Sequence, residues 1–203
     1  HHSAGLPIAT DWSVPPDPEL EPVTEIASIH GSNESADTQY PVMGMIPGNT
    51  VRDALARGYR LGLVGSGDSH NGHPGLVQLP SNESGGVAGI LATARTREAV
   101  LEALRARRVY ATNGPRIVLQ VKVDNAPMGS SLRAGAGHRV LVRAMGTQEI
   151  RRVELVTSEG VLWRMPGHGR AFRYESELPV FERGSWSYAR VWQRYGGAAW
   201  SSP

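Results

Sequence analysis

The chain of 203 residues contains no cysteine, which removes disulfides and thiolate metal sites from consideration. Any transition-metal site must then be built from imidazole and carboxylate, a ligand set suited to zinc, manganese or iron. Long apolar runs are missing as well: no stretch approaches the roughly 20 residues that a membrane-crossing helix needs. Charge of one sign is also lacking. Lys and Arg total 21 against 19 Asp and Glu, a formal net charge of +2, and the basic residues are scattered. A sequence pI near 9.2 therefore comes without the clustered basic face that nucleic acid requires. No Walker-type glycine loop, nucleophile elbow or zincin helix is present, so nucleotide hydrolysis and serine catalysis have no support.

What the chain does have is turn-forming residues, 24 Gly and 14 Pro, which argue against an all-helical fold. Residues 1–48 read as loop-rich, with Pro15, Pro16 and Pro18 interrupting them and a strand-like VTEIASI at 23–29. Asn49 or Thr50 can cap a helix over VRDALARGYR, where Val51, Ala54, Leu55 and Gly58 share a face. LGLVGSGDSH follows as a short apolar run ending in polar groups. A second strand, VAGILAT, precedes a helix over TREAVLEALRARRV, with Thr96 as cap and Leu101 and Leu104 as its expected buried stripe. Helix followed by strand is the rhythm of a parallel α/β domain, in which ligand sites gather at the carboxyl ends of strands. Both VTEIASIH and LGLVGSGDSH deliver a histidine at that end.

The pattern changes near residue 114. RIVLQVKV alternates Ile117, Leu119, Val121 and Val123 with other residues, and HRVLVRA, RRVELVT, GVLWRM and WSYARVWQ continue the alternation. Ser158-Glu159-Gly160 reads as a hairpin turn. The expected organisation is an α/β part over residues 1–114 and a small antiparallel β-sandwich over 115–203. The start at HHSAG, without Met, and the stop at SSP suggest a piece cut from a longer protein.

Five of the seven histidines lie in the first 73 residues. Asp68-Ser69-His70 is the sharpest feature, because residues two apart can turn toward one cation. Its bland alternative is a polar turn in which Asp68 caps neighbouring amides. His30 is either a metal ligand or a loop histidine bonded to backbone. His73 could touch substrate or act as an acid, or simply serve its Gly-Pro turn. Glu25 suits a supporting or core-edge role better than ligation, and Asn71 is a possible donor to a substrate oxygen. His138 and His168 suit surface or turn positions, the arginines at 105–108 a solvated helix end, and the tryptophans strand packing.

EIASIHGSNE, GSGDSHNGHPG and LEALRARRVYATNGPRI together resemble the PHP (polymerase and histidinol phosphatase) superfamily, and more closely its carbaryl-hydrolase-like subgroup. SWSYARVWQRYGGAAWSSP resembles that subgroup's C-terminal β-module. The resemblance implies the C-terminal part of a distorted, TIM-like (β/α)7 barrel. It also implies two or three divalent metal ions (Zn, Mn or Fe) and hydrolysis of phosphoesters, with other esters or carbamates as further targets. Carried over by position, Asp68 and His70 match the final Asp-x-His pair, with Asp68 helping to accept a proton from the attacking water. His30 matches a histidine after the E-I strand. His1 matches the end of an earlier strand, with His2 as the alternative, unless both are remnants of an added tag. The remaining ligands of the resemblance would lie before residue 1. The implied partner is an anionic or ester small molecule; the scattered charge argues against nucleic acid, the short apolar runs against a membrane span, and oligomerisation is left open. A non-catalytic binding or structural module with a degenerate metal site is the competing expectation.

Overall fold

A computed structural model describes residues 4–70 and 85–203. In chain order, the first half holds β1 (Val23–Ser28), β2 (Gly31–Ser32), α1 (Val51–Ala56), β3 (Gly62–Gly65), β4 (Val87–Ile90), α2 (Arg97–Arg105) and β5 (Val109–Thr112). The second half is all strand: β6 (Val118–Val123), β7 (Ala126–Pro127), β8 (His138–Met145), β9 (Ile150–Thr157), β10 (Gly160–Pro166), β11 (Ala171–Leu178), β12 (Ser187–Gln193) and β13 (Ala198–Ser201).

These strands form three sheets, ordered β2-β1-β3, β10-β9-β12-β13-β5-β4 and β11-β8-β6-β7. The six-stranded sheet is the middle layer, and the strand period of two decides what each face meets. On one face Val153, Leu155, Ala189, Val191 and Ala199 pack with Leu119, Val121, Val140 and Val142 of the four-stranded sheet. On the other face Val156, Tyr188, Trp192, Ala198 and Trp200 pack with Ile26 and Leu63 of the small sheet and with Val51 and Leu55 of α1. Burial of this kind is the main force holding the layers together, at roughly 25 cal/mol per Å² of apolar surface.

The expected α/β class, with part of a (β/α)7 TIM-like barrel, is overturned. The described residues hold two α-helices against thirteen strands. The only parallel ladder among them is β1 with β3. The helix-then-strand rhythm of α1 and β3 recurs at α2 and β5, but the second unit does not deliver a parallel strand. After α2 the chain returns as β5, antiparallel to both β4 and β13. Two local features explain the difference. Arg107 enters the left-handed region at φ 56, which stops the helix expected to run on through Val109. Val109, Tyr110 and Thr112 then favour strand, as β-branched and aromatic residues do. Residue 114 links β5 to β6, and the middle sheet draws strands from both sides of it.

Local expectations fare unevenly. Thr50 caps α1 in a reciprocal box with Asp53, whose backbone N donates to Thr50 Oγ1 at 3.3 Å while Asp53 Oδ2 accepts from the Thr50 backbone N at 2.9 Å. Thr96 caps α2 through the Ala99 amide. The buried stripe of α2 lies elsewhere than expected: Leu101 is 45% exposed and the buried position is Ala103. Val100, Leu101 and Leu104 of α2 instead border an open groove with Ile90 and Thr93.

Candidate metal centre

The site is built by the parallel pair. In register, Ala27 of β1 lies opposite Gly65 of β3, so both chains leave the sheet at one edge. The Ser66 amide donates to Ala27 O at 3.0 Å and holds the two exits together. The start of β4 crosses this edge at close quarters. A Cβ on Gly65 would stand 2.6 Å from Thr112 O and 2.8 Å from Val87 N, and one on Gly86 would fall on Ala27 O. Glycine is required at both positions because backbone meets backbone there.

Past those exits, His30, Asp68 and His70 converge. His30 Nε2 is 3.3 Å from Asp68 Oδ2 and His70 Nε2 is 3.9 Å from Asp68 Oδ1. The two imidazoles stand edge-on with centroids 5.4 Å apart. One donor atom from each of the three lies within 4.8 Å of the others. An ion with nitrogen and oxygen ligands at roughly 2.0–2.2 Å holds those ligands about 3.3–4.3 Å apart, so the donor set fits a divalent cation after small adjustment. Asp68 adopts φ 45, a left-handed conformation that aspartate tolerates better than most residues. The side chains of His30 and His70 are 43% and 59% exposed and that of Asp68 is 15% exposed, so the cluster opens to solvent. Glu25, buried in β1, accepts a hydrogen bond from Ser66 Oγ, two residues before Asp68.

Of the sequence-derived candidates, then, His30, Asp68 and His70 are brought together. His1, His2, His73 and Asn71 lie outside the described residues. His138 instead pairs with Asp124 at 2.5 Å in the four-stranded sheet, and His168 is exposed in the β10–β11 turn. Arg107 and Arg108 are half-buried rather than a solvated end: Arg107 donates to Gly129 O, and Arg108 Nη1 donates to Glu102 Oε1 at 2.9 Å.

Sequence reasoning missed the charged network behind the site. Glu34, just beyond β2, is fully buried. Its Oε1 accepts from Tyr188 Oη at 2.6 Å and Arg190 Nη1 at 2.7 Å, and its Oε2 accepts from Trp200 Nε1 at 2.8 Å. Arg190 also donates through Nε to Glu154 Oε2 at 2.8 Å, and Trp192 Nε1 donates to the same oxygen at 3.0 Å. Arg164 completes that carboxylate at 2.6 Å. Tyr188 is held well above the usual phenol range, by burial first and then by the Glu34 carboxylate, so its hydroxyl stays a donor. One signal was available in the sequence. In SYARVWQ, Arg190 falls on the same face as Tyr188 and Trp192, and a cation on an apolar face calls for a buried counter-charge.

Comparison with known proteins adds relatives but no chemistry. Residues 75–126 match the model of DUF3604, a protein family of unknown function. An uncharacterized protein of Chlamydia trachomatis is 31% identical over 213 residues, covering 92% of this chain and 34% of that protein. Uncharacterized proteins of Chlamydia muridarum and Chlamydia pneumoniae are 29% and 31% identical over 212 residues, covering 91% and 92% of this chain and 34% of each relative. The chain thus spans about a third of the length of the curated relatives it matches. No solved structure matches. No helix among the described residues is long and apolar enough to cross a membrane.

Proposed function

We propose that this chain carries part of the active site of a metal-dependent hydrolase, with His30, Asp68 and His70 as ligands to a divalent cation. The observation that supports this most is the convergence of those three donor atoms within 4.8 Å at the shared end of two parallel strands. A bound zinc, manganese or iron ion would supply Lewis acidity and an activated water at neutral pH. His30 and His70 offer neutral imidazole nitrogens. Asp68 offers two oxygens, one to hold the ion and one to accept a proton from the attacking water. Exposure of both imidazoles admits water and a small substrate, and hydrolysis by water requires no cysteine or serine nucleophile. A phosphoester, carboxylic ester or carbamate is the substrate class, in line with the resemblance to PHP hydrolases. Further ligands would come from residues outside those described or from the rest of a longer protein.

The test is metal analysis of protein purified without affinity metal and then dialysed against zinc or manganese. Wild type should retain metal, and Asp68→Ala should weaken uptake by more than the roughly 10–100-fold that loss of an outer-shell partner costs. Equal retention by the two proteins would refute the site. Metal retention without turnover of 4-nitrophenyl phosphate or 4-nitrophenyl acetate, in the full-length protein, would instead support the binding-module reading.

A further inference from the structure

His138 opens β8, where the loop that follows β7 returns to the four-stranded sheet. Both of its ring nitrogens face acceptors. Nδ1 lies 2.5 Å from Asp124 Oδ2 in the β6–β7 turn, and Nε2 lies 2.9 Å from the Arg133 carbonyl oxygen in the loop. A neutral imidazole carries one N–H and a lone pair on its other nitrogen, so it would turn that lone pair on one of the two acceptors. Only the imidazolium, with two N–H donors, fits both. The side chain is 13% exposed, which leaves little room for water to replace a lost partner.

The surroundings are arranged for that cation. Asp124 and Asn125 take left-handed conformations, φ 48 and φ 72, as the central pair of a tight hairpin turn. The Arg139 amide donates to Asp124 Oδ1 at 2.8 Å and leaves Oδ2 for the ring. From β11, Leu178 stands opposite His138, while Glu175 and Glu177 lie 3.6 and 3.5 Å from the Arg139 guanidinium. The charge bonded to the ring is therefore that of Asp124. This pairing, and then the Arg133 carbonyl, hold the imidazole above its ordinary 6.5 against a smaller effect of burial. The ring in turn holds the Asp124 carboxyl below the usual carboxylate range.

We infer that His138 is a doubly protonated clasp, which closes the β7–β8 loop onto the β6–β7 turn and releases it when the ring loses a proton. The loop is built to respond. Residues 130–135 are exposed, and Ser-Leu-Arg-Ala-Gly-Ala-Gly at 131–137 buries little apolar surface, so hydrogen bonds decide whether the segment stays closed. A second tether, Gly135 N donating to Phe181 O at 3.1 Å, reports on that closure. A raised imidazole pKa gives stability that is complete below the unfolded value and is lost as pH rises through the folded one. The clasp belongs to the four-stranded sheet and holds whether or not a cation binds at His30, Asp68 and His70.

The experiment is a titration of the whole chain from about pH 5 to about pH 9, with the histidine ring nitrogens followed by long-range proton–nitrogen NMR. His138→Gln assigns the signal. Both ring nitrogens should be protonated at the start, with a midpoint above 6.5. Gly135 amide protection, corrected for intrinsic exchange, should fall about threefold to tenfold across that midpoint, the scale of one lost hydrogen bond. Asp124→Asn, a substitution the left-handed turn accepts, should lower the midpoint and carry the loss of protection down with it. A midpoint at or below 6.5 overturns the inference, as does a midpoint that Asp124→Asn leaves in place. Gly135 protection that stays level while His138 titrates overturns it equally.

Discussion

At the scale of single residues, the most consequential group is Glu34. A carboxylate with no exposed side-chain surface is costly unless every lone pair is engaged, and here a phenol, a guanidinium and an indole engage it. Removing it would leave Arg190 facing one carboxylate fewer in the interior. Glu34→Ala is expected to destabilise the protein by about 3–5 kcal/mol, readable as a shift in urea midpoint. Glu154 carries a pH consequence. Burial pushes its pKa up, but Arg190, with Arg164 and Trp192, outweighs burial and holds it below the ordinary 4.5. A depressed carboxylate stabilises the fold above its unfolded-state pKa, and that contribution is lost as pH falls through the folded-state value. Acid unfolding followed by circular dichroism should therefore show wild type weakening below about pH 4.5, with Glu154→Gln less stable at pH 7 and less steep below it. A parallel acid profile in the two proteins would remove Glu154 from the explanation.

At the scale of elements, the site depends on how strand ends are stacked. β1 and β3 exit side by side, and the start of β4 presses on both exits with glycine at the contacts. A methyl at residue 86 has no flexible neighbour to displace, only the carbonyl of Ala27 and the backbone of Ser66. Gly86→Ala should thus separate β4 from the strand exits. It should lower stability measurably and weaken metal uptake even though residue 86 is no ligand. Unchanged metal affinity would show that the cluster is positioned without β4. Helix α1 poses a milder test: Thr50→Ala removes a reciprocal cap and should cost about 1 kcal/mol.

At the scale of the whole molecule, the middle sheet decides cohesion. It buries one face against the four-stranded sheet and the other against the small sheet and α1, so neither outer layer has a core without it. Equilibrium unfolding is expected to be one transition, with near-ultraviolet circular dichroism and tryptophan fluorescence coinciding. Trp163 reports one core, while Trp192 and Trp200 report the other, so two separated transitions would show that the layers melt independently.

Local pattern made much of this visible. Alternation of apolar residues located β6, β8, β9, β10 and β12 but not β7 or β11, Thr50 and Thr96 announced their helices, and Asp68 and His70 stood out by spacing and glycine context. These follow from forces acting over a few residues: capping, side-chain period and turn stereochemistry. The strand order could not be read the same way. β5 is paired with β13 about 90 residues away, and nothing within either segment names its partner. The extrapolation from one helix–strand unit to a barrel failed on that point. Glu34 depends on partners 154 to 166 residues distant, so its burial was invisible until the sheets were stacked. Sequence alone therefore determined most of the longer strands, the starts of both helices and which side chains could ligate a cation. Tertiary structure decided that His30 meets Asp68 and that an acid lies in the core, because both depend on which surfaces pack together rather than on any residue's own preference.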